Sequence, residues 1–307
     1  MSYHLRPDRK APKEILRVTR KRLGKARSSL TVTDGERAKG IHQARKRFKE
    51  IRAVLRLVRK PLGKKAFAAE NQRIRDAARL LSSSRDVTAI VESWDALAAT
   101  DTALFQRKPL RDVRKKLAAR KPDQATRSED EAIVEALAAV ESLEQDMQQW
   151  KLATSGFDLY AHGLEKTYRD GRKALAIAEK DPSAHNLHEW RKRVKDHWYH
   201  TRLLLLGWPE QLKLRCALLK ELSELLGDEH DLSMLCLLMQ DQPDLFGDEA
   251  LRESISIAIE KRREFLQNRA LRLGRRLYAE SSTALRKRWE KYWKLTRRER
   301  LSQTSST

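Results

Sequence analysis

Two stretches decide the fold of this chain: His42-Gln43-Ala44-Arg45-Lys46-Arg47-Phe48-Lys49-Glu50 and His188-Glu189-Trp190-Arg191-Lys192-Arg193-Val194-Lys195-Asp196. They overlie at a shift of 146 residues. Seven of the sixteen pairs from 42/188 to 57/203 are identical, the last two being Arg56/Arg202 and Leu57/Leu203. Chance would give about one or two in so basic a window, so the match reads as an internal duplication. A second match follows at nearly the same shift, where Leu80-Leu81 and Arg85-Asp86-Val87 overlie Leu225-Leu226 and His230-Asp231-Leu232. The halves 1–153 and 154–307 are therefore expected to be two copies of one helical bundle, each with about four long helices.

Periodicity and composition agree on an all-α chain. Hydrophobic residues make up 40% and charged residues 35%, so a core can form. Aromatics are only 6%, with 11 Gly and 8 Pro, and the β-branched and aromatic runs of strands are missing. The pattern predicts helices at about 9–30, 36–60, 64–82, 85–99, 129–153, 157–180, 183–206, 209–226, 229–240, 248–279 and 281–298. Asp34 and the Asp181-Pro182 pair read as helix-start signals. Residues 121–126 read as a loop, and 302–307 as a tail.

On a helix, Ala44, Phe48, Ile51, Leu55 and Val58 fall on one stripe, the core-facing seam. His42, Arg45, Lys49, Arg52, Arg56 and Arg59 fall on another, bordered by Lys46 and Lys60, while Glu50 lies outside it. In the second copy Trp190, Val194, His197, Thr201 and Leu204 face inward. His188, Arg191, Lys195 and Arg202 form its basic stripe, flanked by Lys192 and Tyr199, with Trp198 in the place of Arg52. A solvated helix face ordinarily mixes signs for i,i+4 pairing, whereas these stripes carry cations alone and recur in both halves. Arginine forks and mobile lysine ammoniums spaced this way suit a linear anion, and two facing stripes would make a groove or channel.

The charge balance points to the same class of partner. Lys and Arg number 65 against 43 Asp and Glu, a net charge of +22. Residues 1–65 hold 22 of those cations and 5 acids, so most of the surplus sits there. The stretch 129–150 is acidic, with no Lys or Arg, and reads as a helix that offsets basic neighbours. A polyanionic partner follows. No apolar run is long enough to span a bilayer, and residues 1–10 lack the apolar core of a signal peptide, so a cytoplasmic protein is expected. Cys216 and Cys236 read as small core residues of a reducing compartment rather than a zinc site.

The pattern His-x-x-Arg-Lys-x-x-Lys, present twice and followed by Leu-x-x-x-Arg/His-Asp, resembles the CHAD family, the conserved histidine α-helical domain. The match spans about residues 9–280. The resemblance implies two pseudo-symmetric four-helix bundles with a basic groove between them. It further implies binding of inorganic polyphosphate and association with polyphosphate granules. The implied site residues are His42, Arg45, Lys46, Lys49, Arg52 and Arg56, with His188, Arg191, Lys192, Lys195, Tyr199 and Arg202. The Glu-x-Glu-x-Lys mark of the triphosphatase domain fused to some members does not occur in this sequence.

His230-Asp231 invites a metal-phosphohydrolase reading, but its repeat equivalent is Arg85-Asp86 and arginine does not ligate metal. Asp86 and Asp231 are expected to cap a helix or pair with a cation. Neither His42 nor His188 has a nucleophile at useful spacing, so no catalysis, cofactor or metal is expected. Tyr168, Arg169, Arg172 and Lys173 would extend the groove or form a solvated helix end. Trp289, Tyr292 and Trp293 fit an aromatic stripe closing the bundle better than a base-stacking platform. Nucleic acid, the other common polyanion, remains the rival partner, although no base-reading motif is recognisable.

Overall fold

The computed structural model describes residues 3–32, 35–81, 86–120 and 128–305. Among these residues there are thirteen α-helices, three short 3-10 turns and no strand. Four helices close a first ring: α1 (Ala11–Leu30), α2 (Arg37–Leu57), α4 (Lys64–Leu80) and α8 (Glu129–Asp146), each packed on the next and α8 returning to α1. The predicted seam residues Ala44, Phe48, Ile51 and Leu55 are buried inside it with Leu23, Ile74, Ala136 and Val140. A second ring has the same order: α9 (Asp158–Lys180), α10 (Ala184–Leu203), α11 (Pro209–Asp241) and α12 (Glu249–Leu277), with α12 closing on α9. Trp190, Val194, Leu222, Leu226, Ile259 and Leu266 fill it. Helices α2 and α10, which carry the two copies of the motif, hold the second place in their rings.

The acidic helix α8 starts on a capping box. Ser128 Oγ accepts from Glu131 N at 3.2 Å, and Glu131 Oε2 accepts from Ser128 N at 3.2 Å. Its acids also offset basic neighbours: Glu144 meets Arg27 at 2.5 Å and Asp146 meets Arg73 at 2.8 Å.

The remaining helices seal the rings. The short α3 (Arg59–Leu62) follows α2. Helix α5 (Asp86–Ala98) lies against α11 and α7 (Lys108–Ala119) against the turn at 243–246, with the short α6 (Thr102–Phe105) packed on both α5 and α7, so the core of the second ring also takes in Trp94, Leu97, Phe105 and Val113. Trp94 packs edge-on to Phe105 with ring centroids 5.2 Å apart. Helix α13 (Ser282–Ser305) lies on α9, with Trp289 and Trp293 buried as the closing aromatic stripe.

Several sequence expectations change. Helix α11 runs unbroken through Gly227-Asp228-Glu229, where the pattern predicts an interruption. An interior glycine costs a helix only about 1 kcal/mol, and the burial of Leu222, Leu226, Leu232 and Leu235 on both sides outweighs it. Helix α7 has no counterpart in the periodicity reading, because three apolar positions (Leu110, Val113 and Leu117) carry its whole buried face. Helix α10 begins after Ser183, close to the expected start at 183, and the Asp181 carboxylate marks that start by accepting from Ser183 N at 3.2 Å and from Asn186 Nδ2 at 2.7 Å. Helix α13 continues to Ser305, past the expected tail start. Asp34, Arg85 and the loop 121–126 lie outside the described residues.

The rings meet through α2, which packs on both α9 and α10. A glycine makes the first contact possible. A Cβ on Gly163 would lie 2.0 Å from the Leu57 carbonyl oxygen, so only glycine lets α9 approach the end of α2 this closely.

Candidate anion-binding groove

The contacts between α2 and α10 fix how the two stripes face. Glu50 meets Arg202 at 3.3 Å, His200 Nε2 donates to the Ala53 carbonyl at 3.0 Å, and Arg56 meets Asp196 at 3.0 Å. As the number rises on one helix it falls on the other, so the helices run antiparallel where they touch. Lys49 and Lys195, equivalent under the 146-residue shift, flank this crossing and lie within electrostatic reach of one another. Burial first, and then the charges of Arg191 and Lys49, push the Lys195 ammonium down to about 8, with Asp231 pulling the other way. From the crossing, Lys46, Arg45 and His42 lead away along α2, while Lys192, Arg191 and His188 lead away along α10. Each arm, 42–49 and 188–195, covers eight residues, about 10 Å of helix.

The α10 arm has a wall supplied by α11. The His188 and His230 rings lie with centroids 4.3 Å apart. Burial, His230, Lys192 and Arg191 together push the His188 imidazolium down to about 4, so His188 is neutral at pH 7. The Arg191 guanidinium lies against Gly227, where a Cβ would stand 2.9 Å from Nη2. This approach accounts for a glycine inside α11. His188 Nδ1 and Arg191 Nε are buried and find no hydrogen-bond partner among the described residues. Such atoms cost free energy until something bonds to them. Lys192 is exposed beside Glu189, with 2.5 Å between Nζ and Oε1.

On α2, Lys46 and Lys49 are exposed and His42 and Arg45 half-buried. Arg52 is half-buried and donates through Nε to Asn71 Oδ1 at 3.1 Å. Burial and the neighbouring Arg56 charge lower it to about 10.

Three of the expected site residues serve the contact between the rings. Arg56 is held by Asp196, and Arg202 by Glu50. The Arg202 guanidinium also lies over the rings of Trp198 (4.7 Å) and Tyr3 (4.9 Å), which gives Trp198 a role as its platform. Tyr199 is buried between Trp198 and Tyr3, and burial with the nearby Glu50 charge raises its phenol to about 12.

Other expectations sort themselves by burial. Tyr168 does not extend the groove: it is fully buried and donates to the Leu277 carbonyl at 3.1 Å. Arg169, Arg172 and Lys173 are exposed on α9. Asp231 sits inside α11 and cannot cap a helix, so its part is the one beside Lys195. The side chain of Asp86 lies outside the described residues.

Sequence reasoning missed the acids Glu50 and Asp196 and the α11 wall. Both left signals. Glu50 and Asp196 are equivalent under the shift, and the Leu-x-x-x-His-Asp match runs through the wall itself.

Two helical rings joined along antiparallel basic helices define an all-α architecture. The CHAD domain matches over residues 14–240, and the chain belongs to this family. A solved CHAD domain from the plant Ricinus communis has a similar fold, with a TM-score of 0.50 and 17% identity, over 90% of this chain and 94% of that one. No protein of curated function matches the chain. CHAD domains are associated in general with polyphosphate.

Proposed function

We propose that this protein binds inorganic polyphosphate non-covalently in the groove along α2 and α10, and that it does so at polyphosphate granules without turning the polymer over. The observation that carries the proposal is the cationic stripe on each motif helix, where His188 Nδ1 and Arg191 Nε are buried with no hydrogen-bond partner among the described residues. A chain of phosphates would add counter-charge along both arms. Arg45 and Arg191 offer planar forks, Lys46, Lys49, Lys192 and Lys195 offer point charges, and His42 and His188 offer ring N–H donors. Family membership supports polyphosphate over other polyanions.

The test compares charge reversal in the groove with charge reversal elsewhere. Arg45→Glu with Arg191→Glu should lower affinity for long-chain polyphosphate far more than Arg297→Glu with Arg298→Glu, two exposed residues of α13. Affinity should also fall steeply with salt, as counterions return to both partners. Equal losses in the two double variants would mean that diffuse charge binds, and not a groove.

A further inference from the structure

The ion pairs between the two rings are related to one another by the repeat. Adding 146 to Glu50 gives Asp196, and adding it to Arg56 gives Arg202. Glu50–Arg202 and Asp196–Arg56 are therefore the same contact made twice, in opposite directions, at 3.3 and 3.0 Å. A third partner follows the same rule. Arg47 meets Glu50 at 2.9 Å, and its equivalent Arg193 meets Asp196 at 3.6 Å. Both acids are buried, whereas Lys46, Lys49 and Lys192 of the same helices are exposed. The Glu50 cluster is the more elaborate, with buried Arg22 at 3.2 Å and the Tyr3 hydroxyl donating to the Glu50 carbonyl at 2.9 Å.

This arrangement solves an electrostatic problem. Two helices that each carry a row of cations cannot be pressed together along those rows without a counter-charge. The acids provide it at the crossing. Because Glu50 and Asp196 are buried, an arginine withdrawn from them toward another anion would leave a buried acid with one counter-charge fewer, which is disfavoured.

We propose that Glu50 and Asp196 are positioning residues of the polyphosphate site: they dock α2 on α10 by retaining Arg202 and Arg56, and so withhold those two arginines from the ligand. The anion-binding set then reduces to two equivalent arms, His42-Arg45-Lys46-Lys49 and His188-Arg191-Lys192-Lys195. Arg52 lies outside this repeated set, since its equivalent is Trp198. The claim about the ligand rests on the polyphosphate reading; the docking claim does not.

Three measurements decide it. In the native protein, arginine Nε–H resonances are followed while polyphosphate of defined length is added. Arg45 and Arg191 should shift, and Arg56 and Arg202 should stay. Shifts of Arg56 and Arg202 equal to those of Arg45 and Arg191 would overturn the proposal. Next, Glu50→Gln with Asp196→Asn should steepen the salt dependence of polyphosphate affinity, by about one to two in the log–log slope, because two released arginines join the site. Acids with a merely structural role would leave the slope unchanged, and that result also overturns the proposal. Finally, without any ligand, urea unfolding of the cycles Glu50→Gln/Arg202→Gln and Asp196→Asn/Arg56→Gln should be non-additive. The double variant should be at least tenfold more stable in its unfolding constant than the product of the singles. Additive losses would refute the docking role. If no arginine resonance responds to polyphosphate, the functional reading fails, and the cycles still judge the docking role separately.

Discussion

Replacing Lys195 with Met should make the empty protein more stable while weakening its hold on polyphosphate. The Lys195 ammonium falls from 10.5 to about 8 in the folded chain. At about 1.4 kcal/mol per pKa unit, that corresponds to roughly 3 kcal/mol against the charged form. The side chain is not fully buried, and solvent screens part of this, so a gain of about 1–2 kcal/mol is expected at pH 7. Methionine keeps the aliphatic stem packed and removes only the charge. The pH dependence follows from the direction of the shift. Between about 8 and 10.5 the unfolded chain holds a proton on Lys195 that the folded chain has released. Wild-type stability therefore gains from this group as pH rises through that window, and the advantage of Lys195→Met shrinks. Urea unfolding of both proteins at pH 7 and pH 10, without ligand, measures this directly. In parallel, the salt slope for polyphosphate should fall by about 0.7 for the one lost phosphate contact. If Lys195→Met is no more stable at pH 7, or keeps a constant difference at pH 10, the cationic crossing is not under electrostatic load.

Other perturbations probe separate parts of the structure. Saturation with polyphosphate at about 100 times its Kd should stabilise the wild type by roughly 2.7 kcal/mol, seen as a rise in Tm; an unchanged Tm would argue against a folded-state site. His188 starts at about 4 in the empty groove, and a bound polyanion raises it, so protons are taken up on binding and affinity should climb as pH falls from 7 to 5. His42→Gln with His188→Gln should flatten that climb in a binding titration at constant ionic strength. Buried Glu70 is raised to about 7 by burial and Asp146, so Glu70→Gln should stabilise by about 1–2 kcal/mol at pH 8 and by less at pH 5 in urea unfolding. Gly163→Val should cost several kcal/mol, because its side chain would displace α9 from the Leu57 carbonyl.

The double motif carried most of the architecture. Its apolar seam at Ala44, Phe48, Ile51 and Leu55 is buried as the helical period requires, and so are Trp190, Val194, His197 and Thr201 in the second copy. The helix α7 was hidden because burial of Leu110, Val113 and Leu117 depends on the distant turn at 243–246. Gly227 looks like a breaker locally, and only the approach of Arg191 from another helix explains it. The stripe residues were legible as a surface, but their division was not. On a single helix Arg56 is one more cation after Arg52, and nothing in its local sequence reveals the Asp196 carboxylate 140 positions away. Glu50 was visible as the odd acid beside the α2 stripe, and its burial against Arg22 and Arg202 appears only when the rings are packed.

Competition at fixed ionic strength tests the central claim most directly. Labelled polyphosphate bound to the wild-type protein is displaced with unlabelled polyphosphate or with DNA, matched in phosphate concentration, at about 0.15 M salt. Polyphosphate should displace the label at far lower concentration than DNA, and Lys49→Gln with Lys195→Gln should remove most of that preference. Equal competition by DNA, or a preference untouched by loss of the two lysines, would contradict a polyphosphate site at the crossing of α2 and α10.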